Sequence, residues 1–384
     1  MEEGVVLDKR AIRAVVRVRP PKPEEEEYLI LEPKRGKKLL MRSDKSESYT
    51  GAFSLVLGPQ ASQHEVFRAV GLPMAEATLR GQNTCLFAYG QSGAGKTFSM
   101  YGAEGGKVPS KLDGVVPQIC AEIFRRKQEV EKRGDFKLLL HITLVEVKGS
   151  VVSDLLARPV LFEGKEIQPP LRMRGSEVMH AECEPIYSSR MLTQTIERAM
   201  LHRTTGKNYF NNSSSRSHCF LTLKVSKVPV RQASFPSRPK PAVEAPCAEG
   251  PLTVARAHKE ESATITLIDL AGAEQFGADG LEAKLEGKAI QEGLLALGKV
   301  LESLKSGKAH VPYRDSTTTL LIREALEGDC LTMVLACVNP GIAQYSETRN
   351  VLDFVVRASS IPLPRDGLHA NETEDWEDMI NGRG

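Results

Sequence analysis

Apolar positions change period several times along this chain, and each change marks a predicted element. Residues 11 to 20, Ala-Ile-Arg-Ala-Val-Val-Arg-Val-Arg-Pro, alternate and predict a strand that stops where Pro20 and Pro21 end ladder pairing. Gln63 to Leu79 places Val66, Phe67, Val70, Met74 and Leu79 at helical spacing. Thr84 to Tyr89 is a short apolar run of the kind a parallel strand buried on both faces requires. Helices are predicted over Val115 to Val130 and Leu192 to Thr204, and strands over Phe136 to Val147 and Thr264 to Asp269.

The intervals between these segments have their own character. Residues 22 to 50 are charged, with Glu24 to Glu27 followed by Lys34-Arg35-Gly36-Lys37-Lys38, and predict an irregular exposed excursion with at most a small hairpin. Residues 150 to 185 are broken by Pro159, Pro169, Pro170 and Pro185, which predicts short strands and loops. Residues 228 to 258 hold Pro229, Pro236, Pro239, Pro241, Pro246 and Pro251, the composition of an extended or disordered insertion.

Composition narrows the class. With 384 residues the chain can bury a large core. A net charge of +2 means that a polyanionic partner must be met by a local patch and not by a global field, and no nucleic-acid partner is predicted. The seven cysteines show no C-x-x-C spacing and read as reduced thiols of a cytosolic protein. No apolar run approaches the roughly 20 residues that span a bilayer, and Met1-Glu2-Glu3 does not open a signal peptide.

The chemistry concentrates at Gly90-Gln91-Ser92-Gly93-Ala94-Gly95-Lys96-Thr97, which meets the phosphate-loop pattern G-x-x-x-x-G-K-[ST] at every fixed position. Polyphosphate oxygens need many donors at short range, and glycine lets backbone N–H groups approach that closely. Lys96 supplies a point charge, Thr97 a hydroxyl for Mg²⁺, and the following helix its positive dipole end. Chance occurrence in a chain of this length is on the order of one per cent or less, against the alternative of an ordinary turn.

Three other segments gain meaning beside it. Asn211 to His218, Asn-Asn-Ser-Ser-Ser-Arg-Ser-His, offers hydroxyls and amides dense enough to hold Mg²⁺ and a γ-phosphate while remaining mobile, although a plain serine-rich loop fits as well. Asp269-Leu270-Ala271-Gly272 ends a buried strand in D-x-x-G, which places a carboxylate toward Mg²⁺ and an amide toward the γ-phosphate; a strand followed by a turn is the alternative. Arg17, Arg19 and Pro20 form a platform for a nucleotide base, or a solvated strand end.

Taken together, Arg17-Val18-Arg19-Pro20, Phe87-Ala88-Tyr89 with the phosphate loop, the 211–218 run, Asp269 to Glu274 and Val311-Pro312-Tyr313-Arg314-Asp315-Ser316 resemble the kinesin motor domain. The resemblance implies an α/β P-loop NTPase fold, with a central eight-stranded, mixed and mostly parallel sheet flanked by helices. It implies residues 11–361 as motor domain after an extension at 1–10, with 362–384 as neck linker and start of a neck helix. The implied activity is microtubule-stimulated ATP hydrolysis that drives movement along microtubules, with ATP and Mg²⁺ as cofactors and the microtubule cytoskeleton of the cytoplasm as location. The absence of an N-K-x-D element agrees with ATP over GTP.

By the same resemblance, Arg17, Arg19, Pro20 and Phe98 hold adenine, while Gln91, Ser92, Gly93, Ala94, Gly95, Lys96 and Thr97 hold the phosphates. Ser214 and Ser215 form the first switch, and Asp269, through water, and Gly272 the second; Thr97, Ser215 and Asp269 surround Mg²⁺. Arg216 and Glu274 form a salt bridge that closes the site and positions water. Glu286 to Leu304 is the relay helix, and Lys288, Lys299 and Arg314 face tubulin.

Departures qualify the microtubule contact. The family's N-x-N-K-S-L stands as Ala289-Ile290-Gln291-Glu292-Gly293-Leu294, and K-M-T-R after Asp315-Ser316 stands as Thr317-Thr318-Thr319-Leu320. Losing several screened cations weakens affinity by roughly ten- to a hundredfold. Pro362 and Pro364 remove two ladder donors from the neck linker, so docking is altered or partial. Asn371 and Glu374 make a capping box where a neck helix would start, which points to a homodimer through a coiled coil beyond residue 384. A nucleotide-dependent microtubule-binding module with weak movement is the alternative to a motor.

Overall fold

The computed structural model describes residues 12–23, 25, 30–34, 37–43, 46–102, 112–132, 136–162, 165–204, 216–229, 261–274 and 281–361. The 1–10 extension, nearly all of the 228–258 insertion and the 362–384 neck segment lie outside them.

Sixteen strands occur among the described residues. Those that matter for the site are β1 (Arg13–Val18), β5 (Leu55–Leu57), β6 (Asn83–Tyr89), β7 (Phe136–Lys148), β8 (Val151–Asp154), β11 (Pro170–Arg174), β12 (Glu177–Met179), β13 (Glu184–Ile186), β14 (His218–Pro229), β15 (Glu261–Asp269) and β16 (Cys330–Val338). They form one sheet in the order β12-β11-β8-β7-β14-β15-β6-β16-β1-β5, with β13 beside β7. The sheet is mixed, as the family resemblance implies, but it counts eleven strands and not eight, because the proline-broken stretch after residue 150 adds short edge strands. Nor is it mostly parallel. β15, β6, β16, β1 and β5 run parallel, whereas β15, β14, β7, β8, β11 and β12 pair antiparallel.

The parallel half is buried on both faces, and strand alternation divides its side chains between two cores. Leu86 and Ala88 of β6 and Met333, Leu335 and Cys337 of β16 enter one core, under the helices of Gln63 to Leu79 and Val115–Lys132. Cys85, Phe87 and Tyr89 with Val334, Ala336 and Val338 enter the other, which also takes Leu297, Val300 and Leu301 of helix Leu281–Lys305 and Leu352, Phe354 and Val355 of helix Tyr345–Ser359. This is why Thr84 to Tyr89 shows no polar alternation.

The excursion at 22–50 is better ordered than its charge suggests. β2 (Ile30–Lys34), β3 (Lys38–Ser43) and β4 (Ser46–Ala52) make a three-stranded antiparallel sheet, with Leu39 and Met41 fully buried. Leu39-Leu40-Met41 is a short apolar run between Lys38 and Arg42, a strand signal that the charge count hid. The helix predicted over Gln63 to Leu79 forms with a π-helical segment, Phe67–Gly71, between Gln63–Val66 and Leu72–Leu79. Ser62 and Glu65 close its start as a capping box.

β6 delivers the phosphate loop, and its last residue is clamped: the Tyr89 ring stacks on Phe354 with centroids 3.9 Å apart. Phe354→Ala removes that partner and leaves a cavity at the loop's entrance. We expect a loss of about 3–5 kcal/mol, read as a lower urea midpoint with unchanged slope in equilibrium unfolding.

Candidate functional site

At the carboxyl end of β6 the chain enters the glycine-rich loop. Gly90 has φ 151° and stands so close to β16 that a Cβ would fall 2.2 Å from Cys337 O, so no side chain fits there. Gly95, at φ 94°, precedes helix Lys96–Tyr101. Lys96 is buried, and its Nζ donates to Gly90 O at 2.8 Å and Gln91 O at 2.9 Å. Burial lowers its pKa, with Asp269 and Glu274 opposing the shift.

β15 runs parallel to β6 and ends level with it, Asp269 pairing with Ala88. Sheet order therefore brings Asp269 to the loop across 172 residues: Thr97 Oγ1 donates to Asp269 Oδ2 at 3.1 Å. After the strand, Ala273 N donates to Gly90 O at 3.1 Å and Ser92 N donates to Glu274 Oε2 at 2.7 Å, so the D-x-x-G turn lies directly on the phosphate loop. A Cβ on Gly272 would fall 2.3 Å from Glu274 Oε2 and 2.5 Å from Ser92 Oγ, so an added side chain would displace the ends of both.

The donor set suits a magnesium nucleotide. Asp269 is 1% exposed, yet its Oδ1 has no hydrogen-bond partner among the described residues. A buried carboxylate oxygen in that state, beside the Thr97 hydroxyl, is an all-oxygen site of the type Mg²⁺ prefers. Lys96 and the loop amides fit a polyphosphate.

The predicted residues meet only in part. Ser214 and Ser215 lie outside the described residues. Arg216 is half-buried at the head of β14, and Glu274 engages Ser92 N; an Arg216–Glu274 ion pair is not present among the described residues in this conformation. At the adenine end, Arg17 is buried and not laid open as a platform. Its Nη1 donates to Gln63 Oε1 at 2.6 Å and Ser99 Oγ at 2.8 Å, and its guanidinium lies 5.2 Å from the Phe98 ring centroid. Burial lowers the Arg17 pKa. Arg19 pairs with Glu25 and donates to Asn339 Oδ1 at 2.8 Å, while Pro20 is exposed. Gln91 Nε2 donates to Gln344 Oε1 at 2.8 Å, which ties the loop to the segment before helix Tyr345–Ser359.

Two site residues were given no role by the sequence: Arg203 lay outside every motif, and His218 only closed the 211–218 run. Arg203, at the end of helix Ser189–Thr204, is 2% exposed and donates from Nη1 to Asp269 Oδ2 at 2.9 Å and from Nη2 to Ser217 O at 3.0 Å. Burial opposes its charge, but Cys219, Asp269 and Tyr101 around it hold the guanidinium above its ordinary value. His218 accepts from Ala271 N through Nδ1 at 3.0 Å, which leaves the ring proton on Nε2. Burial, with Arg203 and Lys96 adding to it, pushes the imidazole down to about 4, although Asp269 opposes.

The tubulin-facing expectation falls on helix Leu281–Lys305. Lys288, Lys299 and Arg314 are all exposed. Eleven residues separate the two lysines, about three helical turns, so they share a face roughly 16 Å apart. Lys288 Nζ lies 3.8 Å from Glu292, the acid that stands where the family has lysine, and Lys299 Nζ lies 3.9 Å from Asp315. Thr318 and Thr319 are buried, and Thr319 closes a capping box with Ser316, while Thr317 and Leu320, which stand where the two cations are lost, are half-buried.

The neutral His218 sets a pH dependence. In the unfolded chain it protonates near 6.5, in the fold near 4, so its contribution to stability is complete above pH 6.5 and is lost as pH falls toward 4. We expect a slope of about 1.4 kcal/mol per pH unit from this group, roughly 3 kcal/mol in all. His218→Asn keeps an acceptor for Ala271 N and should remove that increment in urea unfolding measured across the interval.

Comparison with known proteins agrees with this geometry. A family model described as the kinesin motor domain matches residues 17–361. The chain is 32% identical over 367 residues to kinesin-like protein KIF7 of Mus musculus, covering 92% of this chain and 25% of the relative. It is 32% identical over 332 residues to kinesin-like protein KIN-4B of Arabidopsis thaliana, covering 80% of this chain and 30% of that one. The chain thus spans about a third or less of the length of these relatives. Among solved structures, a fast kinesin aligns with a TM-score of 0.76 at 25% identity, over 95% of this chain and 96% of the other. A KIF14 dimer with AMP-PNP in complex with a microtubule aligns with a TM-score of 0.76 at 25% identity, over 95% and 99%. Kinesin motor domains are ATPases. The phosphate loop, the D-x-x-G turn that lies on it and the matched span from residue 17 to 361 place this chain in the kinesin family, as a carrier of its motor domain.

Proposed function

We propose that the chain hydrolyses ATP with Mg²⁺ in a microtubule-stimulated cycle that drives movement or force along microtubules. The observation that carries the proposal is the double use of the Asp269 carboxylate, which accepts from Thr97 of the phosphate loop and from Arg203 beside the serine-rich run. A change at the terminal phosphate is thereby felt by three chain segments at once. Mg²⁺, when bound, neutralises charge on the β- and γ-phosphates. Lys96 and the loop amides hold those phosphates, Asp269 and Thr97 hold the ion, and Gly272 offers its amide to the γ-phosphate. Ser214 and Ser215 complete the site in this proposal, and Arg216 and Glu274 close it once Glu274 leaves Ser92. Lys288, Lys299 and Arg314 meet the acidic surface of tubulin.

A weakly moving, microtubule-binding module is the second reading. The ion pairs that Glu292 and Asp315 make with Lys288 and Lys299 favour it, since they screen the cations offered to tubulin.

Steady-state ATPase with and without microtubules tests both. Strong stimulation is expected, with turnover reduced about 100-fold or more in Lys96→Ala and Gly272→Ala. Hydrolysis with no stimulation at saturating microtubules would leave the binding module, and failure to hydrolyse ATP at all would remove the motor reading.

A further inference from the structure

His218 faces two ways. Its Nδ1 accepts from Ala271 N at 3.0 Å, one residue before Gly272 of the D-x-x-G turn, so the ring proton sits on Nε2. The Nε2 edge looks onto Gly293 of helix Leu281–Lys305: a Cβ built there would stand 3.9 Å from His218 Nε2 and 3.9 Å from Thr318 Oγ1. Gly293 is buried, and His218 and Thr318 are each 2% exposed. Among the described residues the ring makes no second hydrogen bond.

Crowding does not explain the glycine. Both polar atoms lie at ordinary van der Waals distance from the added carbon, and glycine in a helix interior is unfavourable relative to alanine. Gly298, five residues on, is different, since nothing lies within 4 Å of its Cβ position. The family pattern N-x-N-K-S-L has a serine where this chain has Gly293. A hydroxyl one bond beyond that Cβ comes within reach of the Nε2 proton, and would join the helix through the ring to the D-x-x-G turn.

We propose that Gly293 is the position at which this chain loosens the coupling between its filament-facing helix and its phosphate site. With no acceptor on the helix, a shift of the helix passes His218 without drawing the ring along, and Ala271 and Gly272 stay where they are. The proposal rests on the reading of the chain as a microtubule-stimulated ATPase, and adds which residue limits the stimulation.

The test is steady-state ATPase of the full chain with and without microtubules, in the unaltered chain, Gly293→Ser, Gly293→Ala, and Gly293→Ser combined with His218→Asn. Stimulation, the ratio of the two rates, should rise about three- to tenfold in Gly293→Ser, while the rate without microtubules stays within about twofold. Gly293→Ala supplies the same carbon and a stronger helix former but no acceptor, and should leave stimulation within about twofold of the unaltered chain. His218→Asn keeps an acceptor for Ala271 N but withdraws the far edge of the ring, so the serine gain should be lost in the combined variant. Gly293→Thr carries the same hydroxyl and takes over the test should the serine variant not fold. Equal gains with serine and alanine would assign the effect to packing or helix propensity; that result, or unchanged stimulation in Gly293→Ser, overturns the proposal. The unaltered chain judges the underlying reading separately. If microtubules stimulate Gly293→Ser but not the unaltered chain, the proposal stands and the motor reading of the unaltered chain falls; if they stimulate neither, both fall.

Discussion

The site depends on one carboxylate at the end of one buried strand. Asp269 Oδ2 accepts from Thr97 and from Arg203, and so joins a loop, a helix terminus and the turn that follows the strand. At 1% exposure these contacts act in a low dielectric, where an unbalanced charge would be costly. Lys96 and Arg203 on one side, Asp269, Glu146 and Glu274 on the other, hold that balance, and none of them can be exchanged without disturbing the rest.

What makes the carboxylate dependable is the sheet. β15 lies between an antiparallel neighbour, β14, and a parallel one, β6. Its register against β6 sets the distance from Asp269 to the phosphate loop, and its register against β14 sets the row that contains Cys219 and Glu146. A slip of one residue would turn Asp269 to the opposite face, so the two cores that fix the register also fix the chemistry. The same sheet end carries the Tyr89–Phe354 stack and the Gln91–Gln344 hydrogen bond, through which helix Tyr345–Ser359 is attached to the loop.

The surface helix follows a different logic. Lys288 and Lys299 keep a common exposed face, but each has an acidic neighbour, and the adjoining threonines are committed to capping and packing. The nucleotide end of this domain therefore keeps the family's chemistry more closely than the end expected to meet a filament. That contrast is physical: buried charges tolerate few substitutions, whereas screened surface charges tolerate many.

Much of the site was legible in the amino-acid order because its parts are local. The glycine spacing of residues 90–97 is dictated by backbone approach, and Asp269 with Gly272 ends a run of strand-forming residues; each of these is complete within a few positions. The period-two and helical spacings likewise placed the strands and helices around the loop, while the heavy charge of residues 22–50 concealed β2 to β4. What the order could not reveal depends on pairing across distance. The eleven-strand count, the antiparallel half of the sheet, the burial of Arg17, the turn of Glu274 onto Ser92 and the placing of Arg203 between Glu146 and Asp269 arise only when strands far apart in sequence become neighbours. Sequence alone determined which groups could hold a phosphate; the tertiary fold decided which charges face one another, because register and burial, not spacing along the chain, set the distances over which charges act.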